Sequence, residues 1–242
     1  MDAIVLCGGS GTRVKEHTND EIPKILIPID GEPFISHVID SLLMQGVRSI
    51  VFAAGVHGDQ IVDYLEMNLS LPQKRYGYFQ AVVEDYPRGT GGAVSVALKH
   101  SDILSKKDDF ILVTNGDSIT FRPTFSALSQ YYTNYIWGIE SANDGSFGAV
   151  KVGKEIVGKH RSRLYKIFRV SAFSEKTKKG KHISNGHYMF SKRLFDSVPD
   201  VCSLECDLLP LWVNKHEFCF VECHKGDKID IGTSERINRL VI

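Results

Sequence analysis

The chain is 242 residues long, 43% apolar and 24% charged, the composition of an ordinary globular protein large enough to bury a core without staples. Its 29 basic and 29 acidic residues cancel, which argues against nucleic-acid and membrane partners with their broad basic footprint and leaves room only for a local basic pocket. The opening MDAIVLCGG has no basic region followed by a long apolar run, and the most apolar stretch, 50–56, is far too short to span a bilayer, so a cytoplasmic protein is expected.

Taken in chain order, residues 2–6 read as a buried strand that ends at once in the glycines Gly8, Gly9 and Gly11. Apolar residues at helical spacing predict a helix over 34–45, stopped by Gly46. A strand is expected at 49–54, a helix at 60–69, a strand at 79–84, a helix at 92–100 and a strand at 110–114 running into Asn115, Gly116 and Asp117. Strands alternating with helices imply parallel βαβ units. The second half changes character: strands are expected at 135–140, 147–152, 164–170 and 183–190 with little helix between them, then a helix at 204–214, a strand at 218–223 and a closing helix at 233–240. The expected fold is therefore an α/β, Rossmann-like, mainly parallel sheet flanked by helices, with antiparallel strands added by the second half, in one domain over 1–242. Ligands of such sheets bind beyond the carboxyl ends of the strands, here after Leu6 and after Thr114.

Five cysteines fit reduced thiols better than a disulfide framework. Cys202, Cys206, Cys219 and Cys223, with His216 and His224 nearby, would make a zinc site only by converging. On a strand, Cys219 and Cys223 would stand about 13 Å apart, so small apolar roles are expected instead.

The loop Gly8-Gly9-Ser10-Gly11-Thr12-Arg13 offers backbone N–H groups that can approach phosphate oxygens, with Arg13 as a charged fork. It is not a Walker loop, because no Gly-Lys-Ser/Thr follows, and Val14 stands where a dinucleotide fingerprint needs its third glycine. A tight turn alone would account for the glycines. Together, however, Leu6-Cys7-Gly8-Gly9-Ser10-Gly11-Thr12-Arg13 and Pro23-Lys24 resemble the signature of the sugar-phosphate nucleotidylyltransferases, with Cys7 in place of the usual alanine. The resemblance implies that Leu6, Gly8, Gly9, Gly11 and Thr12 line a nucleotide site. It also implies that Arg13 and Lys24 are catalytic, gripping the triphosphate and stabilising the pyrophosphate that leaves.

Further matches extend the resemblance. Gly89-Thr90-Gly91-Gly92-Ala93 is similar to the family's base-binding loop, in the form found in the branch that makes GDP-heptoses. The resemblance implies GTP as the nucleotide and a heptose 1-phosphate as the acceptor; guanine carries N–H donors from which Glu84 or nearby carbonyls could accept hydrogen bonds. A uridylyl-, thymidylyl- or cytidylyltransferase of hexose 1-phosphates stays open. Asn115-Gly116-Asp117 resembles the family's Gly-Asp magnesium motif, and Asp230, in Asp230-Ile231-Gly232-Thr233, its second acidic ligand. The implied cofactor is Mg2+, which takes one or two carboxylates plus phosphates and water.

On the acceptor side, Glu175-Lys176 resembles the family pair that holds sugar hydroxyls and the sugar phosphate. Ser184-Asn185-Gly186-His187-Tyr188 resembles a family strand whose asparagine aligns with Ser184. Asn185 falls one place late and so on the opposite face, unless a local bulge brings it round. Glu205 lies in a family-like segment without a role attached. The rivals are a glycosyltransferase of similar architecture and a non-catalytic relative that binds sugar nucleotides. Asn115-Gly116-Asp117 lacks the Asp-x-Asp of the first, and the loop arginine and both aspartates are present against the second. The expected partners are an NTP and a sugar 1-phosphate, and a homo-oligomer is compatible with all of this.

Overall fold

The computed structural model of the chain describes residues 1–9, 11–120, 134–141, 145, 147–156, 166–175, 177, 180–224, 226 and 228–240. The first half runs β1 (Asp2–Leu6), a one-turn helix α1 (Lys15–Thr18), the hairpin β2 (Pro28–Ile29) and β3 (Glu32–Pro33), α2 (Phe34–Met44), β4 (Ser49–Ala54), α3 (Gly58–Met67), α4 (Leu71–Tyr76), β5 (Tyr78–Val83), α5 (Gly89–His100) and β6 (Phe110–Asn115). The second half runs β7 (Ser118–Thr120), β8 (Tyr135–Glu140), β9 (Ala149–Glu155), β10 (Lys166–Ser174), β11 (His182–Ser191), a π-helical turn (Leu204–Leu208) continuing into α6 (Leu209–Lys215), β12 (Cys219–Glu222), β13 (Lys228–Asp230) and α7 (Ser234–Asn238).

Nine of these strands form one mixed sheet in the order β5-β4-β1-β6-β11-β8-β12-β10-β9. β5, β4, β1 and β6 are mutually parallel, as the βαβ pattern requires. β11 then joins β6 antiparallel and opens the second half of the sheet. The central strands are buried on both faces because both carry helices. Ala3, Val5, Ile50, Phe52 and Ala54 face a core shared with Phe34, Val38 and Leu42 of α2 and Ile61 and Leu65 of α3. Ile4, Val51 and Ala53 face a second core shared with Val94 and Ala97 of α5 and Leu209, Trp212 and Val213 of α6. Each fully buried side chain of this size contributes about 1.5–3 kcal/mol, so the layering follows from the continuous apolar runs of β1 and β4.

Several expected bounds shift. Residues 89–91, expected as a loop, are the first turn of α5. The helix expected at 60–69 starts at Gly58 and ends at Met67, and α4 follows it. α4 was not expected, although Ser70 and Gln73 close a reciprocal capping box at its start. The hairpin β2–β3 and the two-stranded β7–β13 sheet were also missed. Residues 164 and 165 of the expected 164–170 strand lie outside the described residues. Among the described residues no helix is long and apolar enough to cross a membrane.

Candidate active site

β1 and β6 are neighbours, so the turns at their carboxyl ends open side by side. The Gly116 N–H donates to the Leu6 carbonyl at 2.9 Å, and a Cβ on Gly116 would stand 2.8 Å from that same oxygen. Only glycine lets the two turns approach this closely. Beyond them lies a cavity of about 360 Å³ whose lining includes Leu6, Gly8, Gly9, Arg13, Lys24, Glu84, Gly89, Thr90, Gly116 and Asp117. A second, more polar cavity of about 190 Å³ is lined by Glu175, Ser184, Asn185, Asp230 and others. The two share Arg13, Asn115, Asp117 and Glu205. Gly11 and Thr12 line neither; they border a third cavity of about 230 Å³ that also touches Gly9 and Lys24.

Asp117 and Asp230 are brought together by the small β7–β13 sheet. Asp230 sits opposite Ser118, and the Ile231 N–H donates to the Asp117 carbonyl at 2.8 Å. A Cβ at Gly232 would stand 2.9 Å from Asp230 Oδ1 and 3.3 Å from Asp117 Oδ2. The carboxylates thus face one small volume that glycine leaves open. Cations already stand on them: Lys24 Nζ lies 2.5 Å from Asp117 Oδ2, and Lys228 and Arg236 each lie 2.9 Å from Asp230. Burial pushes the Asp230 carboxyl up, but Lys228, the Gly232 N–H and Arg236 together hold it below its ordinary value. Arg13, exposed on the 3₁₀ turn Thr12–Val14, has no side-chain partner among the described residues.

Glu84 follows the end of β5, with burial the main cause of its raised pKa and the Arg88 N–H partly offsetting it. Its Oε1 is buried without a partner. Thr90 does not face a ligand freely: its hydroxyl donates to Glu205 at 2.7 Å and accepts from the Leu204 N–H at 2.7 Å. Gly91 does not line the cavity, contrary to the expectation that it exposes backbone to a base. Its N–H donates to the Cys202 carbonyl at 2.9 Å, and a Cβ there would stand 2.7 Å from Cys202 Sγ and Leu208 Cδ1. The glycine is needed for packing.

The local bulge that could bring Asn185 round is present, and both Ser184 and Asn185 line the second cavity. On β11, Ser184 pairs with Gly138 but His187 pairs with Trp137, so two residues are inserted between them. There the neighbour on one side of β11 also changes, from β9 to β6. Gly186 takes φ +78°, and a Cβ on it would stand 2.5 Å from Asn115 Nδ2. The Ser184 hydroxyl is used inside the strand, donating to Tyr188 Oη and accepting from the Gly186 N–H, both at 3.0 Å. Asn185 lines the second cavity with both amide atoms buried and unpartnered. His187 is buried against the Thr114 hydroxyl. Burial, helped by Lys228, holds it neutral with its pKa down to about 3. Lys176 lies outside the described residues. The zinc alternative does not form: Cys202 belongs to one core, Cys219 and Cys223 to the other.

Residues 2–206 match the family model described as Nucleotidyl transferase. The chain belongs to the nucleotidyl transferase family. A relative from Campylobacter jejuni, D-glycero-alpha-D-manno-heptose 1-phosphate guanylyltransferase, is 30% identical over 81% of this chain and 78% of its own length. A probable glucose-1-phosphate cytidylyltransferase from Bacillus subtilis is 26% identical over 82% of this chain and 78% of its own. Bifunctional GlmU relatives match too, and this chain spans 33% of the length of the one from Methanococcus vannielii, at 33% identity over 63% of the chain. Among solved structures, HddC from Yersinia pseudotuberculosis complexed with GMP-PN superposes with a TM-score of 0.74 at 26% identity, covering 99% of this chain and 97% of that one. The nucleotidyl transferase described here is a sugar-phosphate nucleotidylyltransferase.

The nucleotidyl transferase site also contains residues to which the sequence attached no role. Asn115 and Lys228 each precede an expected metal aspartate by two places on or beside a strand, a spacing that puts side chains on one face, and this was the available signal. Arg236 follows Asp230 by six residues across a turn, a spacing with no such periodicity. Glu205 is placed between the two cavities by the π-helical turn, and burial, foremost, raises its pKa.

Proposed function

We propose that the enzyme transfers a guanylyl group from GTP to the phosphate of a heptose 1-phosphate, and that residues 1–242 act as one catalytic domain. An oxygen of the sugar phosphate, already ionised near neutral pH, attacks the α-phosphorus. The bond from that phosphorus to the bridging oxygen breaks, and pyrophosphate leaves with the electron pair. No covalent enzyme intermediate and no strong base are required, so catalysis is positioning plus charge neutralisation.

The observation that carries the reading is the meeting of two cavities at Asp117, with Asp230 facing the same small volume. Gly8, Gly9 and Gly116 leave room for the nucleotide's phosphates in the larger cavity, with Gly11 and Thr12 bordering its neighbour. Arg13, uncommitted in the free enzyme, and Lys24 take the charge of the leaving pyrophosphate. Guanine presents two adjacent N–H donors, and the orphaned Glu84 Oε1 supplies an acceptor for them. Glu175, Asn185 and Lys176 serve the acceptor, Ser184 and Thr90 shape the walls, and Gly91 packs behind them. Asp117 and Asp230 fit a hard divalent cation, as two carboxylates converging on one volume should. Magnesium bound there would withdraw charge from the α-phosphate.

The test is a panel of five nucleoside triphosphates against several sugar 1-phosphates, read by pyrophosphate release. GTP with a heptose 1-phosphate is expected to give the highest kcat/KM. A higher value with another base or a hexose would move the substrate assignment. Pyrophosphate from no pair would remove the reaction itself.

A further inference from the structure

The acceptor cavity holds a pair of cations whose only carboxylate partner among the described residues is the one a metal would claim. Lys228 Nζ contacts Asp230 Oδ2 and the Arg236 guanidinium contacts Asp230 Oδ1, each at 2.9 Å. The Gly232 N–H is the third donor to this carboxylate, reaching Oδ1 at 2.7 Å. The Phe147 ring lies near both cations, with Lys228 Nζ 4.4 Å and Arg236 Cζ 4.9 Å from its centroid, inside cation–π range. The side chains of Lys228 and Arg236 are only 12% and 27% exposed, so neither is a freely solvated surface charge. All three line the cavity that Asn185 and Glu175 also line, beyond Asp117 from the nucleotide side.

Once a divalent ion takes Asp230, both cations lose their counter-charge in a place water reaches poorly. Partly buried cations left unpaired are costly. An arriving anion with several acceptor oxygens removes that cost, and a phosphate monoester is such an anion. We propose that Lys228 and Arg236 are the residues that receive the phosphate of the acceptor sugar, and that Asp230 holds them in reserve until metal displaces them. The proposal rests on the transfer reaction above and adds a consequence: metal and acceptor phosphate bind cooperatively through an exchange of counter-ions, each more weakly without the other.

The exchange predicts effects of opposite sign from a single change. In Lys228→Met and Arg236→Met, Mn2+ binding to the substrate-free enzyme, measured by the paramagnetic signal of free Mn2+, is expected to tighten severalfold, because a competing cation is gone. KM for the sugar 1-phosphate is expected to rise about tenfold or more, the loss of one charge-assisted contact, with KM for the nucleoside triphosphate within about twofold by the same measure. Lys228→Arg should retain most of the acceptor affinity. Calorimetry of inorganic phosphate with and without Mg2+ gives a readout independent of turnover: the wild type should bind phosphate more tightly with Mg2+, and both Met variants should lose that dependence. Weakening of Mn2+ and acceptor together, in variants with wild-type melting curves, would show a merely structural role and overturn the proposal. So would a rise in the triphosphate KM alone, which would place the cations on the nucleotide. If no substrate pair releases pyrophosphate, the reaction assignment falls, and the Mn2+ and phosphate measurements still decide the counter-ion exchange.

Discussion

The nucleotide half and the acceptor half proposed for this site are built by different means. The nucleotide side is made from contiguous sequence at the ends of parallel strands: Gly8 and Gly9 after β1, Gly116 and Asp117 after β6. These turns carry glycines that leave backbone open to the cavity, and Arg13, Lys24 and Glu84 stand around them. The acceptor side is assembled from β7, β11, β13 and the turn at Leu204–Leu208, pieces far apart in the chain, and it is met by side chains that already hold one another. A backbone-lined site can be written in a short motif; a site of mutually paired side chains cannot.

Asp117 stands where the halves join, and changing it should give the largest effect. Asp117→Asn keeps the shape of the side chain but removes the charge that faces Asp230. Turnover with Mg2+ should fall by at least about 10²–10³-fold while the melting temperature stays within a few degrees. A variant that keeps near-normal turnover would break the division of the site at this residue.

A contrast between two glycines sharpens the comparison next. A Cβ on Gly92 would stand 2.4 Å from the Asp200 carbonyl and 2.7 Å from Arg88 Cβ, whereas one on Gly9 would meet nothing within 4 Å. Gly92→Ala should therefore cost about 1–3 kcal/mol of stability through overpacking, with little change in kinetics per folded molecule. Gly9→Ala should fold and melt as the wild type does and raise KM for the nucleoside triphosphate. Urea melts and initial rates on the two variants separate these outcomes, and equal stability losses would mean that the opening loop is a packing device as well.

How much of this could be read in advance follows the same division. β4 and β8 were expected at their observed bounds because their apolar runs are bounded by polar or glycine punctuation on the chain itself. β1 gave its glycine loop directly. The Gly89–Ala93 segment misled for a physical reason: glycines close together suggest an irregular loop, yet here they are the near face of a helix pressed on the Asp200–Ser203 backbone, where a Cβ would collide. β7 and β13, three residues each, fall below the length at which alternation carries information, and they are what unite Asp117 with Asp230. Lys228 and Arg236 read as ordinary charges, because nothing in the chain says that Phe147, some 80 residues upstream, packs against both. The bulge at Asn185 was one of two open readings. It follows from β11 exchanging β9 for β6 along one side, a tertiary event with Gly186 as its only local trace.

Asn185 gives the smallest effect and the most specific one. Both atoms of its amide are buried and unpartnered in the free enzyme, a state that costs about 1–3 kcal/mol in most proteins. Such a cost persists where a ligand later supplies the missing partners. Asn185→Ala removes the orphaned groups and leaves a small polar cavity, so the free protein should lose no stability and gain up to about 1 kcal/mol. The acceptor should lose its hydrogen bonds at the same time, raising KM for the sugar 1-phosphate about tenfold with the triphosphate KM unchanged. Ser184→Ala, by contrast, takes a hydroxyl away from Tyr188 and from the Gly186 N–H and should destabilise the bulge, affecting stability before affinity. If Asn185→Ala is instead destabilised with the acceptor KM untouched, the amide belongs to the fold, and the acceptor half must recognise its sugar through Glu175 and the cation pair alone.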